Sequence, residues 1–447
     1  MQLHDSQTRS VQLIDSLRLK IVDPDFTAAH RRIPNHFTRE RLLPLSRIVL
    51  LITQKTLKSV QLHLNEWFSH LDVPTPPTAS AFCHARKKLL PSAFWSLNSV
   101  VLQTVYDCPK HASLISRWHG HRLLAIDSSL IHLPDSPEAR TRYRLVECHN
   151  DKGYQGSFVE ARLSVLYDLA NQMALDTSLV SSEQGERQLA SAHLKLQVNE
   201  GDLVVFDRGY EGYLLMAQML SQKVCFLIRG SRRSFGALQA LFRQDKAGVS
   251  KRVKLTAPKE ARATCQKEGW PLEITIRLIT VRLSTGELEV LVTSLLDEDL
   301  YPTREFARLY WKRWGQETFF ARIKGRLDLE NFSGKGTNVI EQDIAALVFL
   351  SNMETVLLSR GNERLQERTV HRKAKVKPNR SVSLHTVKMH LFDLLVCLGS
   401  AEQVLEKLYR LFLTNPVTIR ENRGAPRTKG SPLRRVHFLK RVRKIVY

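Results

Sequence analysis

Residues 310–324 read Tyr-Trp-Lys-Arg-Trp-Gly-Gln-Glu-Thr-Phe-Phe-Ala-Arg-Ile-Lys, with Tyr310, Arg313, Glu317 and Lys324 following one another at spacings of 3, 4 and 7. At about 100° per helical residue, Arg313, Glu317 and Lys324 fall roughly 300°, 340° and 320° from Tyr310, so a single helix face presents all four. A rise of about 1.5 Å per residue sets Tyr310 and Lys324 roughly 21 Å apart, too far to share one phosphate but suited to following a polyphosphate strand. A carboxylate flanked by cations along such a strand predicts metal-assisted phosphodiester chemistry. An amphipathic surface helix with ordinary charges has the same pattern, so the rest of the chain must decide between them.

The 447 residues carry 67 Lys and Arg against 44 Asp and Glu, a formal charge of +23 and a pI near 9.9. Such an excess predicts a polyanionic partner, nucleic acid first, although ribosomal or membrane-surface binding fits the charge equally well. At 43% hydrophobic residues the chain can bury a substantial core, and its length predicts two or three domains. No run approaches the roughly 18 apolar residues of a membrane span, and the polar start MQLHDSQTRS is not a signal peptide. The expectation is a cytoplasmic protein with no membrane partner. Cys83, Cys108, Cys148, Cys225, Cys265 and Cys397 lie far apart without a C-x-x-C pair, which argues against a disulfide framework and a zinc ribbon.

Five regions are expected along the chain. Residues 1–115 read as a helical domain, in which Thr78–Lys88 is either a basic DNA-contacting helix or a solvated face. Residues 116–229 alternate strands and helices: the run His121–Asp127 ends in an acid, as does Asp202–Asp207 before Arg208-Gly-Tyr210. Residues 230–300 read as a β-rich insertion, with strands at 272–283 and 288–295. Residues 301–360 hold the opening stretch and an apolar helix, for which Asn338 and Glu341 form a candidate capping box. Residues 361–447 are helical and basic, with ten Lys or Arg against one acid, Glu421, from residue 420 onward.

Acids act beyond the carboxyl ends of strands in α/β sheets, which is where Asp127 and Asp207 are expected. Each aspartate alone could equally be a polar residue opening a turn. With Glu317 they supply the carboxylates of a two-ion site, in which Asp127 bridges both ions and Asp207 and Glu317 take one each. Such oxygen donors suit Mg2+, with Mn2+ able to substitute. Arg208, Arg313 and Lys324 would neutralise the flanking phosphates.

The order Ile-Asp127, Asp207-Arg-Gly-Tyr210, then Tyr310-x2-Arg313-x3-Glu317-x6-Lys324 resembles the DDE transposases of bacterial insertion sequences, specifically the insertion-sequence-4 family with its YREK signature. The resemblance spans residues 121–330. It implies an α/β fold with a ribonuclease H-like catalytic core, a β-strand insertion between the second aspartate and the glutamate, and helical N- and C-terminal regions. It further implies cut-and-paste movement of a DNA element by a transposase homodimer synapsing double-stranded terminal inverted repeats, followed by joining to target DNA at the bacterial nucleoid. Asp127, Asp207 and Glu317 would then be catalytic metal ligands, and Tyr310, Arg313 and Lys324 would hold the DNA backbone. Some relatives pass through a hairpin end, for which Trp314 or Trp270 would stack on a flipped base. A ribonuclease H-like nuclease that cuts without joining, and a domesticated non-catalytic DNA-binding protein, remain alternatives.

Overall fold

The computed structural model describes residues 2–419 apart from Glu40, Leu57, Asp72, Lys152, Ser284, Thr285, Cys397 and Leu398, and without the side chains of residues 2–4, Asn150, Trp314 and Arg326. The basic stretch 420–447 and the Trp314 side chain lie outside the described residues.

Among the described residues nine strands form one mixed sheet: β1 Leu123–Leu133, β2 Arg144–Asn150, β3 Gly153–Asp168, β4 Met173–Ser181, β5 Leu203–Phe206, β6 Cys225–Arg229, β7 Ser250–Thr256, β8 Glu273–Arg282 and β9 Leu288–Thr293. Their order is β2-β3-β1-β5-β6-β9-β8-β7, with β4 beside β2 along the same edge of β3. β4, β3 and β1 are antiparallel, whereas β1, β5 and β6 run parallel. Three antiparallel strands followed by two parallel to the first make the ribonuclease H-like core. β9 pairs antiparallel with β6, so the strands of 250–293 continue this sheet. β1 is longer than the sequence indicated and runs six residues past Asp127 along β3.

Side-chain alternation gives the sheet two buried faces. Leu123, Ala125, Leu203 and Val205 share one apolar cluster with Phe306, Leu309, Phe319 and Phe320. Leu124, Ile126, Val204 and Phe206 share the other with Ala190, Leu194, Met216 and Met219. The helices that matter are α1 Gln2–Val22, α2 Ser92–Tyr106, α3 Glu186–Gln197, α4 Phe306–Trp311, α5 Trp314–Ala321, α6 Thr337–Arg368 and α7 Ala401–Phe412. α4 and α5 cover the first face and α3 covers the second.

α6 is the spine that α1, α2 and α7 pack around. It is long and apolar enough to cross a membrane, contrary to the sequence reading, but 83% of its apolar window is buried inside the protein. Its polar side chains are partnered, as buried groups must be. Asn352 bonds both the N–H and the C=O of Ala174, at 2.9 and 2.7 Å. Asp343 takes Arg86 at 2.6 Å and Lys55 at 3.3 Å. Arg86 belongs to the basic segment 78–88, and its burial in this ion pair removes it from any DNA-facing role. The capping box does not form. Gly336 is the N-cap, and Glu138 from elsewhere accepts the Thr337 N–H at 3.2 Å.

Candidate active site

Register sets the two aspartates side by side. Parallel pairing aligns Ala125 with Val205, so Asp127 on β1 and Asp207, the first residue past β5, each lie two residues beyond the same aligned pair. Adjacent strands lie about 4.8 Å apart, and alternation turns both carboxylates to the face covered by α4 and α5.

The opening stretch is not one straight helix. α4 and α5 meet where the N–H groups of Lys312, Arg313 and Gln316 bond carbonyls three residues back, at 3.0–3.1 Å, and a π turn follows at Arg322–Arg326. Gly315, a poor helix former, sits in this junction. The helical path persists, and three of the four side chains still gather. The Tyr310 hydroxyl donates to Asp207 Oδ1 at 3.2 Å, and Arg313 Nη2 donates to Glu317 Oε1 at 2.8 Å. Lys324 Nζ donates to the carbonyl of Leu130, three residues beyond Asp127 on β1.

Burial pushes Asp127 up to about 6, with Asp207 and Glu186 adding to the shift and the Ser128 N–H and Arg313 opposing it. Burial also opposes the charge of Asp207, but Arg313, the Arg208 N–H, Arg229 and the Tyr310 hydroxyl outweigh it and hold the group low. Arg313 is therefore the shared counter-charge: it is 5% exposed, bonds Glu317, and acts on both aspartates. Arg208 is exposed on the turn after Asp207.

Trp270 is not brought to this centre. It precedes β8, whose start lies toward the opposite end of the sheet, since Arg277 is level with Thr293 and Leu227, near the start of β6. An exposed tryptophan does stand next to Tyr310: Trp311, at 67% exposure. Sequence reasoning also passed over Arg229, whose Nη1 lies 3.9 Å from Asp207 Oδ1 while its guanidinium binds the buried Glu289. The available signal was a cation closing the apolar run Cys225-Phe-Leu-Ile-Arg229 at the same end as Asp207.

The donor set can be tested against a divalent ion. A half-buried Asp127 facing a second carboxylate gains from a cation, and all-oxygen donors suit a hard one. Among the described residues no three His, Cys, Asp or Glu groups stand together as a ready metal centre. The reason is visible at Glu317, which is engaged by Arg313. Asp127 and Asp207 could hold such an ion, and Glu317 could join them only by releasing the guanidinium.

A ribonuclease H-like sheet with paired aspartates past its parallel strands, roofed by a cation-bearing helix, has the framework of a nucleic-acid phosphoryl-transfer enzyme. The chain belongs to the family described as Transposase DDE domain, whose sequence model matches residues 118–353. It is 24% identical over 330 residues to the transposase InsG for insertion sequence element IS4 of Escherichia coli strain K12, covering 70% of each chain. The cryo-EM structure of the piggyBac transposase synaptic complex with hairpin DNA aligns over 90% of this chain and 85% of that one, at 9% identity and a TM-score of 0.41. The resemblance to the insertion-sequence-4 family is thus borne out, and the protein is a DNA transposase, a nuclease and transesterase of a family that uses divalent metal ions.

Proposed function

We propose that this chain cuts DNA at the ends of an insertion sequence and joins the freed 3′ ends to target DNA, with Asp127, Asp207 and Glu317 holding two Mg2+ ions. The observation that carries this reading is the pair Asp127 and Asp207 beneath Arg313 and Glu317. Bound ions of this kind activate the attacking oxygen and stabilise the leaving one. Tyr310 orients Asp207 through its hydroxyl. Arg313 balances the acids until Glu317 releases it, and its guanidinium then suits a phosphate. Arg208 and Lys324, on either side of the acids, take the backbone on the two sides of the cut. Trp314 would stack on a flipped base at the element end, whereas Trp270 would meet DNA only away from the cut.

In this reading residues 1–115 and 361–447 bind the terminal repeats, 116–229 and 301–360 form the catalytic core with 230–300 as its insertion, and a homodimer pairs the two element ends at the nucleoid. The test uses labelled inverted-repeat DNA from the flanks of the reading frame, supercoiled plasmid and Mg2+. Strand-joined product is expected. Cleavage without joining would leave a nuclease, and binding without cleavage would leave a DNA-binding protein.

A further inference from the structure

Behind the aspartates, on the face opposite α4 and α5, the first two residues of α3 touch both acid-bearing segments. Ser128 follows Asp127, so alternation turns its side chain to this rear face. Its N–H donates to Asp127 Oδ1 at 2.8 Å while its hydroxyl donates to Glu186 Oε1 at 2.7 Å. Arg162 on β3 closes the triangle, its Nη1 donating to Glu186 Oε1 at 2.5 Å and to Ser128 Oγ at 3.0 Å. The next residue reaches the other segment. Arg187 Nε donates to the carbonyl of Gly209, two residues past Asp207, at 3.0 Å. Glu186 Oε2 also lies only 3.7 Å from where a Cβ at Gly209 would stand.

α3 itself is fixed in place. His193 on α3 bonds Ser164 of β3 at 3.0 Å and Asp176 of β4 at 2.7 Å. His193 and Ser164 are each 1% exposed, so this Ser–His–Asp chain is closed to substrate and serves as an anchor. The end of β1 and the turn after β5 share no ladder beyond Val205, because the pairing of β1 with β5 stops at Ala125 and Val205. Register brings the two aspartates near one another, but past Val205 no β1–β5 ladder holds the carboxylates at a fixed separation.

We infer that Glu186 and Arg187 act as a positioning pair, a bar across the rear of the sheet that fixes Asp127 relative to Asp207. The inference rests on the proposed metal-holding role of those aspartates. Without the bar, the end of β1 and the Asp207 turn relax independently and the carboxylates are no longer spaced for ions. Residues acting on ligands from behind commonly contribute about 10- to 100-fold in metal affinity or activity.

The test is first-strand cleavage by full-length protein across a Mg2+ series, with thermal melting, end-DNA binding, and calorimetric Mg2+ binding in the absence of DNA. Glu186→Ala is expected to weaken Mg2+ binding and raise the Mg2+ midpoint for cleavage by about tenfold, with DNA binding kept. Glu186→Gln, whose amide oxygen accepts the same two bonds, should recover most of that loss. Arg187→Ala, at an exposed site, should shift the midpoint the same way, by about tenfold at most. Unchanged Mg2+ binding and midpoints in Glu186→Ala and Arg187→Ala would overturn the inference, and so would a Glu186→Gln loss equal to that of alanine, since the charge itself would then be required. Should Glu186→Ala fail to fold, the Arg187→Ala midpoint decides. Asp127→Ala is run beside them: if it cleaves normally, the reading of the aspartates has failed, whatever Glu186 does.

Discussion

Asp127 on β1 and Asp207, the first residue past β5, each lie two residues beyond the aligned pair Ala125 and Val205. The two carboxylates repel one another, and the structure answers with Arg313, which acts on both, and Arg229 at the side of Asp207.

The cost of that arrangement is measurable as pH-dependent stability. Asp127 is raised from 3.8 to about 6 by burial first, so the folded state binds its proton more tightly than the unfolded state does. Stability from this group is therefore greatest below the unfolded value and is lost as pH rises from about 4 through about 6. In EDTA, Asp127→Asn should match the parent near pH 4 and exceed it by about 1–2 kcal/mol at pH 7.5, after allowing for solvent screening. Thermal melts at the two pH values check this; an Asn variant less stable than the parent at pH 7.5 would contradict it.

Salt separates phosphate contacts from ordinary surface charges. If Lys324 and Arg208 each neutralise a phosphate, Lys324→Ala and Arg208→Ala should weaken end-DNA binding most at low salt. Each should flatten the slope of log affinity against log salt by about one. Filter binding between low and physiological salt measures it, and slopes identical to the parent's would leave both residues as solvated charge.

A third expectation concerns stability alone. Arg86 and Asp343, with side chains 5% and 0% exposed, join the N-terminal helices to α6. Arg86→Ala leaves a buried carboxylate short of its partner, and a loss of about 3–5 kcal/mol is expected. Denaturant unfolding that shifts by less than about 1 kcal/mol would show that Lys55 and Ser333 suffice for Asp343.

Much of this was legible in the sequence. Apolar runs ending in acids located β5 and the aspartates, and the spacing of Tyr310, Arg313 and Glu317 placed three side chains on one helical path. The tightened junction at Lys312–Arg313 was not legible, because its i→i−3 bonds leave the residue pattern unchanged. Nor was the reach of Arg313 to Asp127, which depends on which sheet face α4 and α5 cover. β2 escaped notice because Arg144–Asn150 lacks the apolar alternation of a half-buried strand. Glu186 and Arg187 looked like ordinary first-turn charges of a polar helix, and only the fold brings Ser128 and Gly209 to them.

The most direct test of the account is cleavage and strand transfer on labelled element ends in Mg2+ by Asp127→Ala, Asp207→Ala and Glu317→Ala, with end binding measured alongside. Each variant should bind ends nearly as the parent does and lose both cutting and joining. Normal cutting by any one of the three would remove that residue from the metal site and contradict the account.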